Sequence, residues 1–282
     1  MGKLKKGTCC ISGASGYLGT HLVEKFLALG YKVTALGHSE YKTTAGNKKA
    51  EWFIGDITDE EFCNQTIKGD LVIHAAAQKH IPIAENNPSF SIKNNILGTL
   101  NVFRSAISNN VKEVVFISTD KAYQPETVYG KTKEFGEWLC QYYNEKNLGT
   151  KFYWCRYGNV GNSSGSVFEI WDKFGKQNKD LGITVPKMTR FFFTIDDAVD
   201  VILETLKRKD EKKPFIPKMK AMQMGEVAEV FSEYYGVGVY VIGNRGNEKI
   251  HEGMNDKYKS NTCKRFTKPE IKKFLISIGL LQ

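Results

Sequence analysis

The segment "ISGASGYLGTHL" (residues 11–22) joins an apolar run, "GTCCIS", to a helical pattern, "YLGTHLVEKFLALG". It contains glycines at every third position, namely Gly13, Gly16 and Gly19. Glycines at a strand-to-helix turn let the backbone approach a ligand closely, and a helix N-terminus attracts phosphate groups. Glycine triplets alone are common, but this strand–turn–helix context predicts a phosphate-binding turn at the start of a parallel sheet.

Apolar runs typical of strands alternate with helical patterns downstream of this turn. The predicted strands are residues 7–12, 32–37, 50–55, 69–76, 111–118 and 151–158. The predicted helices are residues 17–30, 88–109 and 126–147. Near-continuous apolar strands that alternate with helices favour a parallel sheet covered on both faces. We therefore predict an α/β fold with a doubly wound parallel sheet.

The alternation of predicted strands and helices becomes less regular after residue 160. Two helical patterns, at residues 165–177 and 194–209, are followed by a strand, a helix, a second strand and a loop. We predict two parts on this basis. Residues 1–160 form a dinucleotide-binding domain that also carries the reactive side chains, and residues 161–282 form a smaller, partly interleaved substrate-binding lobe.

The composition argues against several classes of protein. The 282-residue chain has a formal net charge of +9, but its lysine runs lie near the N-terminus and on helical patterns that also contain acids. This distribution is not typical of nucleic-acid binding. No run of about 18 apolar residues predicts a membrane span. We therefore expect a soluble, cytosolic protein. The six cysteines and five histidines lack the spacing of metal ligands, so we expect no metal site.

The glycine-rich turn supplies the expected contacts of a dinucleotide, which are Gly13, Ser15, Gly16, Tyr17, Leu18 and Gly19. NAD-binding proteins normally end the second strand with an acid that binds the ribose 2′-hydroxyl. This chain has Gly37 at that position, and His38 or Lys42 could contact a 2′-phosphate instead. We therefore expect NADP as the cofactor, with NAD less favoured but kept open by Glu40.

Asp56 and Ile57 follow the third predicted strand, where the adenine edge of a dinucleotide would lie. Asp56 could equally cap a helix that begins near Thr58. The two roles are compatible with each other.

A second segment, "STDKAYQPETVYGKTK" (residues 118–133), contains five reactive side chains. Tyr129 and Lys133 lie four residues apart on a predicted helix, so they share one face. A nearby ammonium and the positive charge of an oxidised dinucleotide lower the pKa of the phenol, which can then take a proton from an alcohol. Thr119, at the end of a strand, can bind the same oxygen. Because a glycine-rich turn precedes them in the sequence, Thr119, Tyr129 and Lys133 together predict alcohol oxidation by hydride transfer.

Such an oxidation needs neither Asp120 nor Lys121. An acid beside a base suits an elimination, because a 4-keto sugar has an acidic C5–H and a hydroxyl at C6 that can leave. The alternative is an exposed Asp-Lys turn without a chemical role.

These motifs resemble the extended short-chain dehydrogenases/reductases, and more narrowly the soluble, 5-inverting UDP-N-acetylglucosamine 4,6-dehydratases of bacterial glycan biosynthesis. The most specific matching segments are "HAAAQKH" and "STDKA". Other matching segments are "GASGYLG", "GDITD", "IKNNILGTLNV", "VYGKTK", "RYGNV" and "MTRFFFTIDDAV". The resemblance runs from Gly13 to about Glu252.

The resemblance implies a role for each matching residue. Thr119 and Tyr129 would serve oxidation at C4, and Lys133 would hold the nicotinamide ribose. Lys121 would be the base at C5 and Asp120 the acid for the departing C6 hydroxyl, with hydride returning to C6 so that NADP is recycled. The other implied contacts are Ala75 with the cofactor, Lys79 with cofactor and sugar, and Asn159, Val167, Arg190, Arg245 and Glu248 with the UDP-sugar.

Other classes of function stay open at this point. An NADP-linked nucleotide-sugar 4-epimerase or reductase would use Tyr129 and Lys133 without Asp120 and Lys121, and a non-catalytic NADP-binding regulator would need none of the four. We expect UDP-GlcNAc or a close UDP-sugar as the ligand, and neither nucleic acid nor membrane as a partner. The resemblance also implies a homo-oligomer, for which the helices at residues 88–109 and 126–147 could supply the interface.

Overall fold

The computed structural model describes residues 7–38, 49–243 and 248–282. Its largest sheet has six strands in the order β3-β2-β1-β4-β5-β6. These strands are β1 (Thr8–Ser12), β2 (Lys32–Gly37), β3 (Glu51–Ile54), β4 (Leu71–His74), β5 (Glu113–Thr119) and β6 (Lys151–Tyr157). The pairs from β3 through β5 are parallel. This order confirms the predicted doubly wound α/β fold.

Helices and further strands complete the described part of the chain. The helices are α1 (Tyr17–Ala28), α2 (Glu60–Thr66), α3 (Ile81–Asn86), α4 (Pro88–Ile92), α5 (Gly98–Ser108), α6 (Val128–Lys146), α7 (Val167–Lys176), α8 (Ile195–Arg208), α9 (Met224–Tyr235) and α10 (Lys268–Ser277). The remaining strands are β7 (Asn159–Val160), β8 (Leu181–Ile183), β9 (Thr189–Phe193), β10 (Lys220–Gln223), β11 (Val239–Val241), β12 (Gly253–Asn255) and β13 (Tyr258–Lys259). No helix within the described ranges has the length and apolar character needed to cross a membrane.

The chain divides into two compact units, and the first consists of Met1–Arg156 and Asp196–Ile216. It contains the six-stranded sheet and most of α8, a helix that the sequence pattern places in the C-terminal lobe. The inner strands are buried almost throughout, which explains their unbroken apolar sequences. Cys9 and Cys10 are fully buried in β1, and burial raises the pKa of Cys10 to about 12, so this thiol packs as a small neutral group.

The predicted helix at residues 88–109 is observed as α4, a π-helical turn (Lys93–Leu97) and α5 in direct succession. A π-helical turn shifts the register of a helix and turns different side chains inward. Here the turn contains Asn95, a polar residue that is 2% exposed. Its partners lie in the candidate site described below.

The interpretation of Asp56 as a helix cap is wrong. Helix α2 begins at Glu60, and its N-cap is Asp59, whose side chain accepts hydrogen bonds from the N–H groups of Glu61 and Phe62. Asp56 lies in the preceding turn and accepts a hydrogen bond from the N–H of Thr58 at 2.8 Å.

The second unit consists of Tyr157–Ile195 and Pro217–Gln282 and has its own hydrophobic core. Its strands form the sheet β10-β9-β7 and the pairs β8–β11 and β12–β13. Helices α7 and α9 pack through Phe168, Trp171 and Phe231. The sequence pattern did not predict α10, although Thr267 and Glu270 form a capping box at its start.

Candidate active site

The glycine-rich turn between β1 and α1 is shaped by close backbone contacts. Gly13 has a φ of 73°, and a Cβ there would lie 2.6 Å from the backbone nitrogen of Ala76. A Cβ on Gly19 would collide with the carbonyl oxygen of Gly13. Larger residues at either position would therefore push the turn away from β4 or from α1.

The start of α1 suits a bound diphosphate. Its N-cap is Gly16, so no side chain caps the N–H groups of the first turn, and no acid lies in that turn. These N–H groups and the positive end of the helix dipole fit a pyrophosphate. The turn therefore fits the dinucleotide that the motif predicts, with Ser15, Tyr17 and Leu18 beside the glycines.

The end of β2 lies close to the glycine-rich turn. A Cβ on Gly37 would lie only 3.0 Å from Oγ of Ser15 in the glycine-rich turn. Next to it, the exposed side chain of His38 lies 3.4 Å from the carboxylate of Asp56. Burial alone would raise the pKa of Asp56, but hydrogen bonds from Thr58 and the positive charges nearby lower it.

Two other predicted cofactor residues have less direct support. Ile57 packs into the core of the first unit, and its carbonyl accepts a hydrogen bond from Asn101. Lys42 lies outside the described residues. The roles of both at the cofactor stay predictions.

Asp120 and Lys121 lie on a 3₁₀ turn (Asp120–Ala122) that follows β5 directly. Lys121 Nζ donates to Oδ1 of Asp120 at 3.0 Å, and Thr119 Oγ1 donates to the same oxygen at 3.0 Å. The side chain of Asp120 is 0% exposed and that of Lys121 is 14% exposed. The pair is thus a largely enclosed ion pair, and the alternative of an exposed Asp-Lys turn is wrong.

Helix α6 places Tyr129 next to this turn. Thr127 caps the helix by accepting from the N–H of Gly130, and Glu85 of α3 accepts from the N–H of Val128 at 2.7 Å. A Cβ on Gly130 would collide with the carbonyl oxygen of Lys121. The glycine therefore lets the helix backbone and the 3₁₀ turn touch, which brings the phenol to Thr119.

The expectation that the Lys133 ammonium lowers the pKa of Tyr129 is wrong for this structure. Burial raises the pKa of Tyr129 to about 12, while the charge of Lys121 and a hydrogen bond with Thr119 act to lower it. The ammonium that acts on the phenol is therefore that of Lys121. Burial lowers the pKa of Lys133 to about 8, and its Nζ lies 4.0 Å from the centroid of the Phe116 ring.

A buried polar chain, which the sequence pattern did not predict, connects β1 to the π-helical turn. Ser12 Oγ lies 2.6 Å from Nδ1 of His74, and His74 Nε2 lies 2.9 Å from Oγ1 of Thr99. Because Thr99 donates to the carbonyl of Asn95 at 2.6 Å, its oxygen accepts from Nε2–H of His74. Burial lowers the pKa of His74 to about 3, so the ring is neutral.

Asn95 extends this chain to the loop between β4 and α3, which carries Ala75 and Lys79. Its amide accepts from the N–H of Gln78 at 2.7 Å and donates to the carbonyl of Gln78 at 2.9 Å. It also lies 3.0 Å from Oγ1 of Thr132 on α6. One side chain thus ties the loop to the helix of Tyr129. Lys79 itself is exposed.

Most of the predicted UDP-sugar residues belong to the second unit, whereas Lys79 belongs to the first. Asn159 in β7 donates to the carbonyl of Phe191 at 3.1 Å, and Val167 begins α7. Glu248 is described and partly exposed, whereas Arg245 lies outside the described residues. These four assignments stay predictions.

Arg190 is 9% exposed in β9 and directs its donors towards its own unit. Its guanidinium donates to the carbonyls of Lys249 and Ile250 at 2.8 and 3.1 Å, and its Nε lies 3.9 Å from Oε1 of Glu252. The side chain therefore holds the segment just after Glu248. Its direct contact with a diphosphate or ribose stays a prediction.

Comparison with known proteins gives the family. A family model described as polysaccharide biosynthesis protein matches residues 9–273. The chain belongs to this family. Two curated relatives from Campylobacter jejuni strains, both named UDP-N-acetylglucosamine 4,6-dehydratase (inverting), are 37% identical over 228 residues and 40% identical over 207 residues. These matches cover 79% and 72% of this chain, and 68% and 61% of the relatives.

Other similar proteins match a larger share of this chain. A relative named UDP-glucose 4-epimerase from Rickettsia bellii is 33% identical over 262 residues, which is 88% of this chain and 77% of the relative. The X-ray structure of Pen from Bacillus thuringiensis has a TM-score of 0.92 at 27% identity and covers 99% of both chains. The comparisons thus confirm the resemblance to the dehydratases, and they include an epimerase as well.

Proposed function

We propose that this protein is a nucleotide-sugar 4,6-dehydratase that converts UDP-GlcNAc, with NADP as a recycled cofactor, into a UDP-4-keto-6-deoxy-HexNAc. The observation that carries the proposal is the enclosed Asp120–Lys121 ion pair, whose Nζ–Oδ1 distance is 3.0 Å, beside Thr119. Sequence identity of 37% to a relative named as such a dehydratase supports it. The net reaction removes one water from the sugar and leaves no change in the redox state of the cofactor.

Oxidation at C4 would use Tyr129 and Thr119. The glycine-rich turn and Lys133 would hold NADP, which supplies a hydride acceptor and donor when it is bound. Tyr129 takes the proton of the C4 hydroxyl, and Thr119 binds the same oxygen. The pKa of Tyr129 is about 12 even though the charge of Lys121 acts to lower it, so the phenol needs further positive charge nearby to act as a base, which an oxidised dinucleotide would supply.

Elimination across C5–C6 would use the ion pair. A lysine acts as a base only when it is neutral, and a carboxyl group acts as an acid only when it is protonated. One proton shift along the hydrogen bond from Lys121 to Asp120 produces both reactive forms without solvent. Lys121 then takes the C5 proton, and Asp120 gives its proton to the C6 hydroxyl, which leaves as water. The pair returns to its charged form.

C5 inversion is part of the proposal. Lys121 removes the C5 proton from one face of the sugar, so a proton that arrives on the opposite face comes from another donor. Solvent is then the source of the new C5 proton. The roles of Lys79, Asn159, Val167, Arg190, Arg245 and Glu248 in holding the UDP-sugar are part of the same proposal.

The proposal is tested by incubating the protein with UDP-GlcNAc and NADP⁺ in deuterated water without added reductant. NMR of the product should show a 4-keto-6-deoxy sugar with deuterium at C5 and an inverted C5 configuration. Recovery of a C4 epimer, with water retained, would instead support the UDP-sugar 4-epimerase that the relative from Rickettsia bellii suggests. Unchanged substrate would contradict both functions.

Cofactor preference gives a separate prediction. NADP⁺ should bind at least tenfold more tightly than NAD⁺, about 1.4 kcal/mol, because β2 ends in Gly37 without an acid to bind a 2′-hydroxyl. Calorimetric titration with each cofactor measures the ratio. The control variant His38→Ala should weaken NADP⁺ binding more than NAD⁺ binding. Equal or reversed affinities in the unmodified protein would refute the preference.

Exposed aromatic residues on α6 support the proposed homo-oligomer. Phe135, Trp138 and Tyr142 are 37%, 52% and 38% exposed, and adjacent rings lie 5.5 and 5.4 Å apart. The neighbouring helical segments expose further apolar side chains, namely Phe90, Ile92 and Leu97. Exposed apolar side chains clustered in this way are typical of a protein interface.

The substitution Trp138→Ser should therefore lower the molecular mass measured by light scattering to that of a smaller assembly. The matched control is Tyr240→Ser on β11, since Tyr240 is also 52% exposed. This control should keep the mass of the unmodified protein. A monomeric unmodified protein, or a Trp138→Ser variant of unchanged mass, would exclude α6 as the interface.

A further inference from the structure

Helix α6 carries a buried acid, Glu137, that the proposed chemistry does not use. Glu137 follows Lys133 by one helical turn and is 5% exposed. Donors from two strands hold its carboxylate. Ser118 of β5 donates to Oε1, and Arg156 of β6 donates from Nε to Oε1 at 3.0 Å and from Nη2 to Oε2 at 2.5 Å. Charged donors of this kind form strong hydrogen bonds with a carboxylate.

The ammonium of Lys133 is buried one turn earlier on the same helix. The residue is 4% exposed and lies over the ring of Phe116 in β5. Burial lowers the pKa of Lys133 to about 8, and the negative charge of Glu137 acts in the opposite direction. Without that charge, a smaller fraction of Lys133 would be protonated near neutral pH.

The other titratable groups near Lys133 are Cys140 and Tyr129 on α6, Cys155 on β6 and His74 on β4. Burial raises the pKa of both thiols, to about 12 for Cys155, and raises that of Tyr129 to about 12. The pKa of His74 is lowered to about 3. These groups are neutral between roughly pH 6 and pH 9. Within the described part of the chain, Glu137 acts on Lys133 as a negative charge in this range, and the guanidinium of Arg156, bound to Glu137, opposes part of its effect.

We propose that Glu137 is a positioning residue. Clamped by Ser118 and Arg156, its carboxylate keeps the Lys133 side chain in the ammonium form that the nicotinamide ribose requires. The role of the Lys133 ammonium at the ribose rests on the proposed function. The effect of Glu137 on the charge of Lys133 does not depend on that function. Because the ammonium form is required, turnover falls as the pH rises through the pKa of Lys133. Loss of the Glu137 charge moves that fall to lower pH.

The test compares Glu137→Gln, which removes the charge, with Glu137→Asp, which keeps it on a shorter side chain. The full-length protein is labelled with ¹³C at the lysine ε-carbons, and the Lys133 signal is identified as the one missing from Lys133→Met. In Glu137→Gln the midpoint of the Lys133 titration should fall by about one pH unit. In Glu137→Asp it should stay within a few tenths of a unit of the unmodified protein, whatever the loss of rate.

The outcomes separate this inference from the proposed function. An unchanged Lys133 titration in Glu137→Gln overturns the inference, even if the variant is slow. A lowered titration in a protein that does not dehydrate UDP-GlcNAc supports the inference and contradicts the function. If Glu137→Gln does not fold because Arg156 loses its partner, the double variant Glu137→Gln/Arg156→Gln is titrated instead. The expected fall is then smaller, because the positive charge of Arg156 is lost as well, and an unchanged midpoint again overturns the inference.

Discussion

Replacement of Tyr129 by phenylalanine is expected to lower the turnover of UDP-GlcNAc by roughly a hundredfold or more. The change removes one hydroxyl, which hydrogen-bonds with Thr119 and is the proposed acceptor of the C4 proton. The aromatic ring remains, so the contacts of α6 with the 3₁₀ turn persist. Binding of NADP⁺ and of UDP-GlcNAc, measured by calorimetry, should change little.

The matched control is Tyr142→Phe, which removes a hydroxyl from an exposed residue on the same helix. This variant should turn over at the rate of the unmodified protein. Turnover of Tyr129→Phe at the unmodified rate would contradict the proposed oxidation at C4. A large loss of cofactor binding would instead assign Tyr129 to the cofactor site.

The sheet and the reactive residues were predictable from sequence because the relevant signals are local. Inner strands buried on both faces require unbroken apolar runs, and these runs mark the strands directly. Thr119, Asp120, Lys121, Tyr129 and Lys133 come from one strand, the turn after it and the next helix. Helical spacing puts Tyr129 and Lys133 on one face, and the short connection between β5 and α6 keeps them near Thr119, Asp120 and Lys121.

Other parts of the site depend on contacts between distant segments, which leave no local pattern. His74 resembles an ordinary core residue in sequence, and its partners Ser12 and Thr99 lie 62 and 25 residues away. The partners of Arg190 are backbone carbonyls 59 and 60 residues away, which carry no sequence signal at all. The surroundings of the predicted substrate residues are therefore the part that sequence predicts least.

Polar contacts hold α6 in three successive turns. Glu85 binds its first turn, Asn95 lies beside Thr132 in the second, and Ser118 with Arg156 binds Glu137 in the third. These partners come from different elements of the first unit. Proton transfer requires donor and acceptor within hydrogen-bonding distance, so a helix that slid by a fraction of a turn would lose the Tyr129–Thr119 contact.

The variant Lys121→Ala separates elimination from oxidation. Thr119, Tyr129 and Lys133 remain, so the sugar should still be oxidised at C4, whereas removal of the C5 proton stalls for want of a base. Reduced nicotinamide should therefore accumulate after substrate is added, up to one equivalent per active site. Its near-ultraviolet absorbance measures this accumulation. Formation of the 4-keto-6-deoxy sugar should fall by roughly a hundredfold or more. Because the Lys121 charge also acts on Tyr129, the oxidation itself should be slower than in the unmodified protein.

The matched control is Lys131→Ala, an exposed lysine of α6 whose loss should leave both signals unchanged. Asp120→Asn should resemble Lys121→Ala in a milder form, because water can protonate the departing hydroxyl at some rate. Near-normal production of the 4-keto-6-deoxy sugar by folded Lys121→Ala would remove the elimination role. The enclosed ion pair would then serve the oxidation alone, through its charge and its hydrogen bond to Thr119, and the epimerase or reductase function would be favoured.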